Sequence, residues 1–75
     1  MTIGERAARA IKSRANQNKT SIVQECAALG VTRKIMFDWE KNGRNPSAYW
    51  LQQMALSGYD VIYILTGKEN LHVDD

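Results

Sequence analysis

Apolar residues recur at helical spacing along most of the chain, and the polar breaks between the periodic stretches divide it into five segments. The first runs from Thr2 to about Asn16, with Ile3, Ala7, Ala8, Ile11 and Ala15 on one stripe and Arg6, Arg9, Lys12 and Arg14 outside it. Thr2 and Glu5 have capping-box spacing, which places the helix start. Asn16 to Lys19 reads as a polar loop. A second helix begins at Thr20 or Ser21, with Ser21 and Gln24 as its capping-box pair, and ends at Leu29. Val23, Cys26, Ala27 and Leu29 are its candidates for burial, Cys26 being small where two helices cross closely.

Gly30, Val31 and Thr32 then form a short turn, in which Gly30 suits a left-handed helix stop and Thr32 an N-cap. The helix that follows, over about 32–42, puts Met36 and Trp39 on an inward face and leaves Arg33, Lys34, Phe37 and Lys41 opposite. Arg33 and Lys34 occupy the first turn, where the helix dipole favours acids, so their placement points to an anionic partner. Lys41 to Asn45 is a basic loop, and Asn45-Pro46 predicts a cap followed by proline at the first position of a fourth helix. That helix runs to about Ser57 with Trp50, Leu51, Met54 and Ala55 as its stripe, and Gly58 stops it. Asp60 caps a short fifth helix, Val61 to Thr66, closed by Gly67. Its apolar run is too continuous for one face, so either a second subunit or packing against helices one and four must cover the rest.

A length of 75 residues supports a single core, one that buries only about 60% of the unfolded surface. The expectation is one domain over 1–67 and a flexible tail over 68–75. With 44% hydrophobic and 24% charged residues, the composition is that of a folded chain. Cys26 has no second cysteine to bridge to, and His72 is the lone histidine, which argues against a disulfide or a four-ligand zinc site and suits a reducing cytoplasm. The apolar run from Val61 to Leu65 is too short to span a bilayer. There is no Ser/His/Asp set, no pair of carboxylates at a fixed spacing and no phosphate-cradling glycine loop, so neither an enzyme nor a cofactor is expected. The charge is uneven. Residues 1–45 hold nine Lys/Arg against four acids, whereas residues 46–75 hold Lys68 against Asp60, Glu69, Asp74 and Asp75. One half of the molecule is suited to face phosphates and the other to face away.

From Ser21 to Gly67 the chain resembles the phage-repressor and Cro-like (XRE-type) helix-turn-helix family. The resemblance rests on Cys26 four before Gly30, the Gly30-Val31-Thr32 turn, the Trp39-Glu40 pair, Pro46 seven after Trp39, and the closing Ile64-Leu65-Thr66-Gly67. Departures are Gly43, one position later than usual after Glu40, Ile22 where a glutamine is common, and Glu25 where a leucine is common. The resemblance implies an all-α, compact five-helix lambda-repressor-like domain and a sequence-specific DNA-binding regulator, a repressor of phage or prophage type. Helix three would then lie in the major groove, with Thr32, Arg33, Lys34 and Phe37 at base edges, Arg33 or Lys34 on guanine and Phe37 against thymine methyls. Lys19, Ser21, Lys41, Asn42 and Arg44 would contact phosphates. Asp38 would either accept from cytosine or, the favoured reading, pair with a neighbouring cation. A homodimer on an inverted-repeat operator would use Tyr59, Val61, Ile62, Tyr63 and Ile64. The alternative is a protein-interaction module, antitoxin-like or adaptor, whose apolar fifth helix binds another polypeptide.

Overall fold

Five α-helices make up residues 1–68, the part of the chain that this computed structural model describes: α1 Ile3–Asn18, α2 Ile22–Leu29, α3 Arg33–Lys41, α4 Ala48–Leu56 and α5 Val61–Thr66. No strand occurs among the described residues, so the fold is all-α and matches a small helix-turn-helix arrangement. The expected tail at 68–75 lies, from Glu69 on, outside them.

Side-chain caps set the helix starts. Thr2 and Glu5 form the capping box predicted for α1, the Thr2 amide donating to Glu5 Oε1 at 2.7 Å and the Glu5 amide to Thr2 Oγ1 at 3.0 Å. Ser21 and Gln24 do the same for α2, at 2.8 and 3.0 Å. Thr32 accepts from the Ile35 amide and Asp60 from the Tyr63 amide, which opens α3 and α5 as expected.

Two boundaries differ from the sequence expectation. α1 continues through Gln17 and Asn18 and stops only at Lys19, whose φ of 56° is left-handed. Polarity alone does not end a helix on a solvent face. α4 begins at Ala48 with Ser47 as its cap, and Pro46 is buried ahead of it. Asn45 cannot serve as the cap because its Oδ1 accepts from the Gly4 amide at 2.9 Å, far away in sequence.

The core gathers Ala7, Ala8 and Ile11 of α1, Cys26 and Leu29 of α2, Val31, Met36 and Trp39 of α3 and its turn, Met54 of α4, Tyr59, and Ile64 of α5. In α2 the inward line is Ile22, Cys26 and Leu29, at spacings of four and three, while Val23 and Ala27 face solvent, contrary to expectation. Ala55 of α4 is likewise exposed. Trp39 meets Trp50 edge-on, with ring centroids 6.5 Å apart at 67°.

Two arginines of the outer face of α1 close the far side of the bundle. Arg6 donates through Nε to the Ile64 carbonyl at 2.8 Å and through a terminal nitrogen to the Leu65 carbonyl at 3.2 Å, satisfying the end of the six-residue α5. Arg14 donates to the Ser57 carbonyl at the end of α4 and lies 3.8 Å over the Tyr59 ring.

On its other side α1 meets α3 with almost no spacer. A Cβ placed on the buried Gly4 would fall 2.0 Å from the Arg44 carbonyl oxygen and 2.7 Å from that of Trp39. Gly4→Ala would ordinarily favour a helix by about 1 kcal/mol. Here backbone must move apart, at an overpacking cost of about 1–3 kcal/mol. Because the atoms met are backbone, the upper end of that cost applies, the net loss is about 2 kcal/mol, and the expected melting temperature is lower by roughly 8–16 °C. An unchanged or higher value in thermal circular dichroism would show that the start of α1 is not docked on the end of α3.

Candidate functional site

The α2–turn–α3 unit carries the residues singled out from the sequence. Gly30, at φ 80°, ends α2 in a conformation that a side chain would strain, Val31 turns into the core, and Thr32 starts α3. Burying Met36 and Trp39 then forces the opposite face outward: Arg33, Lys34, Phe37 and Lys41 are all exposed. Phe37 keeps 51% of its surface in solvent against 3% for Trp39, so it is not a core residue.

Among the described residues Arg33 forms no ion pair. The Lys34 ammonium stands 3.7 Å from the Asp38 carboxylate, the pairing expected of Asp38, but it is 84% exposed and the contact is well solvated. Thr32 uses its hydroxyl oxygen as the cap, accepting from the Ile35 amide at 3.1 Å. Arg33, Lys34 and Phe37 line one cleft of about 410 Å³, together with Lys12, Ile22, Met36 and Glu40.

The phosphate candidates are spread around this face. At the start of α2, the capping box engages the Ser21 and Gln24 amides and leaves those of Ile22 and Val23 as the remaining first-turn donors. Lys19 sits just ahead, exposed, in a left-handed conformation that costs a non-glycine residue on the order of 1 kcal/mol. Glu25 steadies that loop by accepting from the Thr20 hydroxyl and the Asn18 amide. At the far end of α3, Lys41 is free to face outward, whereas the Asn42 side-chain amide donates back to Asp38 at 2.7 Å. Arg44 is exposed on the opposite flank of α3, in a cleft shared with Ile35, Asn45 and Trp50.

Two cations that the sequence left on a solvated helix face join this surface. Arg9 and Lys12 of α1 line a cleft of about 360 Å³ with Lys41, and Lys12 pairs with Glu40 of α3. Their spacing shows that they share one flank of α1, but only the packing of α1 on α3 brings that flank beside the α3 cations. Glu5 lines the same cleft, its carboxyl held below the ordinary range chiefly by the Thr2 amide that donates to it.

The set expected at a dimer interface needs correction. Tyr59 and Ile64 are buried within the monomer, because α5 inserts Ile64 between α1 and α4 and Tyr59 packs under Arg14. Val61 and Tyr63 are half-buried, and Ile62 faces out. Exposed apolar side chains that the sequence reading left out are Leu65 on α5 and Tyr49 and Leu56 on α4, Leu56 being 76% exposed.

Cys26 is packed against Met36, sulfur to sulfur at 3.5 Å, and burial pushes its thiol pKa up. Its role is to let α2 and α3 approach. Among the described residues no group of His, Cys, Asp and Glu side chains is placed to hold a metal ion, and no helix is long and apolar enough to cross a membrane. Models of known families, curated proteins and solved structures offer no match to the chain.

The two aromatics of α3 should respond oppositely to truncation. Phe37→Ala is expected to change unfolding free energy by no more than about 0.5 kcal/mol, as for an exposed site. Trp39→Ala should cost about 3–5 kcal/mol, enough to unfold much of so small a domain. Denaturant titration measures both, and a large effect at Phe37 would mean that it is packed in the core.

Proposed function

We propose that this chain is a sequence-specific binder of duplex DNA acting as a transcriptional regulator, a repressor of phage or prophage type. The observation that carries the reading is the outward face of α3. It presents Arg33, Lys34, Phe37 and Lys41 together, beyond a tight turn from α2, with Arg9 and Lys12 alongside. α3 enters the major groove, and Arg33 and Lys34 donate to guanine edges. α2 lies across the backbone, where the free Ile22 and Val23 amides and Lys19 meet a phosphate. Lys41 and Arg44 hold phosphates at the other end of α3 and set register without reading sequence. Thr32 shapes the start of α3 more than it reads a base, since its oxygen is committed to the cap.

One such module buries only about 600–1,000 Å² on DNA, which favours two copies on an inverted repeat. The exposed Tyr49, Leu56, Ile62 and Leu65 supply apolar surface for the second copy on α4 and α5. The same exposure supports the second reading, an interaction module of antitoxin or adaptor type in which a different polypeptide covers these side chains.

Affinity for a selected duplex should fall steeply with salt as counterions are released. Arg33→Ala should cost about 1–3 kcal/mol on the best site and relax one base position, while Arg44→Ala should weaken every sequence alike and shallow the salt slope by about one contact. Fluorescence anisotropy across a salt series measures this, and a flat salt response would reject the DNA reading.

Two chains per selected site are expected, with half-sites about 10 base pairs apart or a multiple of that turn. Sedimentation of the saturated complex tests it. One chain on a non-palindromic footprint would rule out the dimer, and Leu56→Lys should leave monomer folding intact while reducing two-chain occupancy.

A further inference from the structure

Asn42 is the one asparagine in the chain that is followed by glycine. Glycine has no Cβ to shield its backbone nitrogen, so the Gly43 peptide nitrogen is open to approach from the side chain before it. The surroundings leave it open too. Both residues are exposed, the Gly43 amide donates to nothing among the described residues, and nothing lies within 4 Å of where a Cβ on Gly43 would stand. The other described asparagines lack this freedom. Asn16 and Asn18 sit inside α1, and Asn45 is followed by Pro46, which has no amide hydrogen to lose, while its own Oδ1 accepts from the Gly4 amide. One contact restrains Asn42, its Nδ2 donating to Asp38 Oδ1 at 2.7 Å. Asp38 lies one turn back in α3, and its carbonyl ties down the same loop by accepting from the Asn42 and Arg44 amides at 3.0 and 3.2 Å.

Resting on the DNA-binding reading above for its consequence, we infer that Asn42-Gly43 is a site of spontaneous deamidation that ages the protein into a weakly binding form, with Asp38 as the brake. The Gly43 nitrogen gives up its proton to hydroxide and bonds to Asn42 Cγ. The Cγ–Nδ2 bond then breaks, and the nitrogen leaves as ammonia after taking a proton from water. A water molecule opens the resulting five-membered imide at either carbonyl, which leaves aspartate or isoaspartate at position 42. One water enters, one ammonia departs, and nothing is oxidised or reduced. The hydrogen bond to Asp38 restrains the group that must turn toward Gly43, so the reaction waits for that bond to open. Its product cannot restore the bond. The amide has a second N–H to offer a phosphate, whereas a carboxylate has none. That carboxylate also stands against the Asp38 carboxylate, at the C-terminal end of α3 where the helix dipole disfavours negative charge, and it takes one positive unit from a formal net charge of only +2.

The test incubates the folded protein at mildly alkaline pH for increasing times and reads peptide masses. The peptide carrying position 42 should gain the amide-to-acid mass difference ahead of those carrying Asn16, Asn18 or Asn45, and faster as hydroxide rises. Asp38→Ala should speed the gain severalfold, and Asn42→Gln, whose longer side chain closes the ring poorly, should abolish it, with circular dichroism confirming that each variant is folded during incubation. Fresh protein selects a duplex from a random library, and anisotropy on that duplex should show the aged fraction binding about tenfold more weakly, the loss of one hydrogen bond to a charged group. Asn42→Asp should show the same loss without ageing, and Asn42→Gln should keep its affinity through the incubation. No mass gain at position 42, or one no faster than at the other asparagines, would overturn the site, and an Asp38→Ala rate equal to that of the wild type would overturn the brake. Mass gain with unchanged affinity would overturn the consequence and leave the DNA reading standing. Failure of fresh protein to select any duplex would instead overturn the DNA reading, while the mass gain would still establish the site.

Discussion

The close approach of α1 to α3 is the constraint on which the rest of the structure depends. It exists because the inward face of α1 is built from residues with little or no side chain, Gly4, Ala7, Ala8 and Ala15, with Ile11 as the one large group among them. Helices of eight or nine residues such as α2, α3 and α4 are marginal in isolation, so α2 and α3 persist by packing on the longer α1, and α4 by packing on α2 and α5. Trp39 completes the contact from the α3 side, and the Gly4 amide bonded to Asn45 secures the loop that follows α3. Once Trp39 is inside, the periodicity of a helix leaves no freedom for Arg33 and Phe37, which must point out.

The cations of α1 divide between two jobs. Arg6 and Arg14 bend to the α4–α5 side and satisfy carbonyls at helix ends, which a planar guanidinium with several donors does well. Arg9 and Lys12 flank α3 instead. A charge count along the sequence treats these four as equal, and so overstates what is available to an anionic partner. The asymmetry between the halves of the chain survives the correction, because Arg33, Lys41 and Arg44 remain exposed on the α3 side.

What could be read in advance follows from the range over which each interaction acts. Caps and turns are local: Thr2 with Glu5, Ser21 with Gln24, the Gly30–Thr32 turn and Asp60 were all legible from neighbouring residues. So was the facing of α3, since Met36 and Trp39 leave one arrangement. The failures are long-range. Asn45 is a good cap by type, but a contact with Gly4 takes its side chain and shifts the start of α4 to Ala48. Val23 and Ala27 are as apolar as their neighbours, and only the positions of α1, α3 and α4 decide that the Ile22–Cys26–Leu29 line is the buried one. Tyr59 and Ile64 looked suitable for a partner because sequence cannot tell a surface shared between subunits from one consumed within the monomer.

The start of α3 gives a sharper argument than net charge. α1 and α2 both place an acid in the first turn, Glu5 and Glu25, as the helix dipole favours. α3 has none, and instead puts Arg33 and Lys34 there. Like charge at a helix N-terminus costs some tenths of a kcal/mol per residue, and the Thr32 cap, worth about 1 kcal/mol, offsets much of it. The pairing of Lys34 with Asp38 offsets little, being exposed. The first two helices put an acid in the first turn and α4 and α5 put no charge there, so among the five α3 alone begins with cations. There the dipole and two side-chain cations add to a single positive patch beside the half-exposed Phe37 ring. That departure, made at a small cost in stability, is a local feature on which the proposed DNA reading rests.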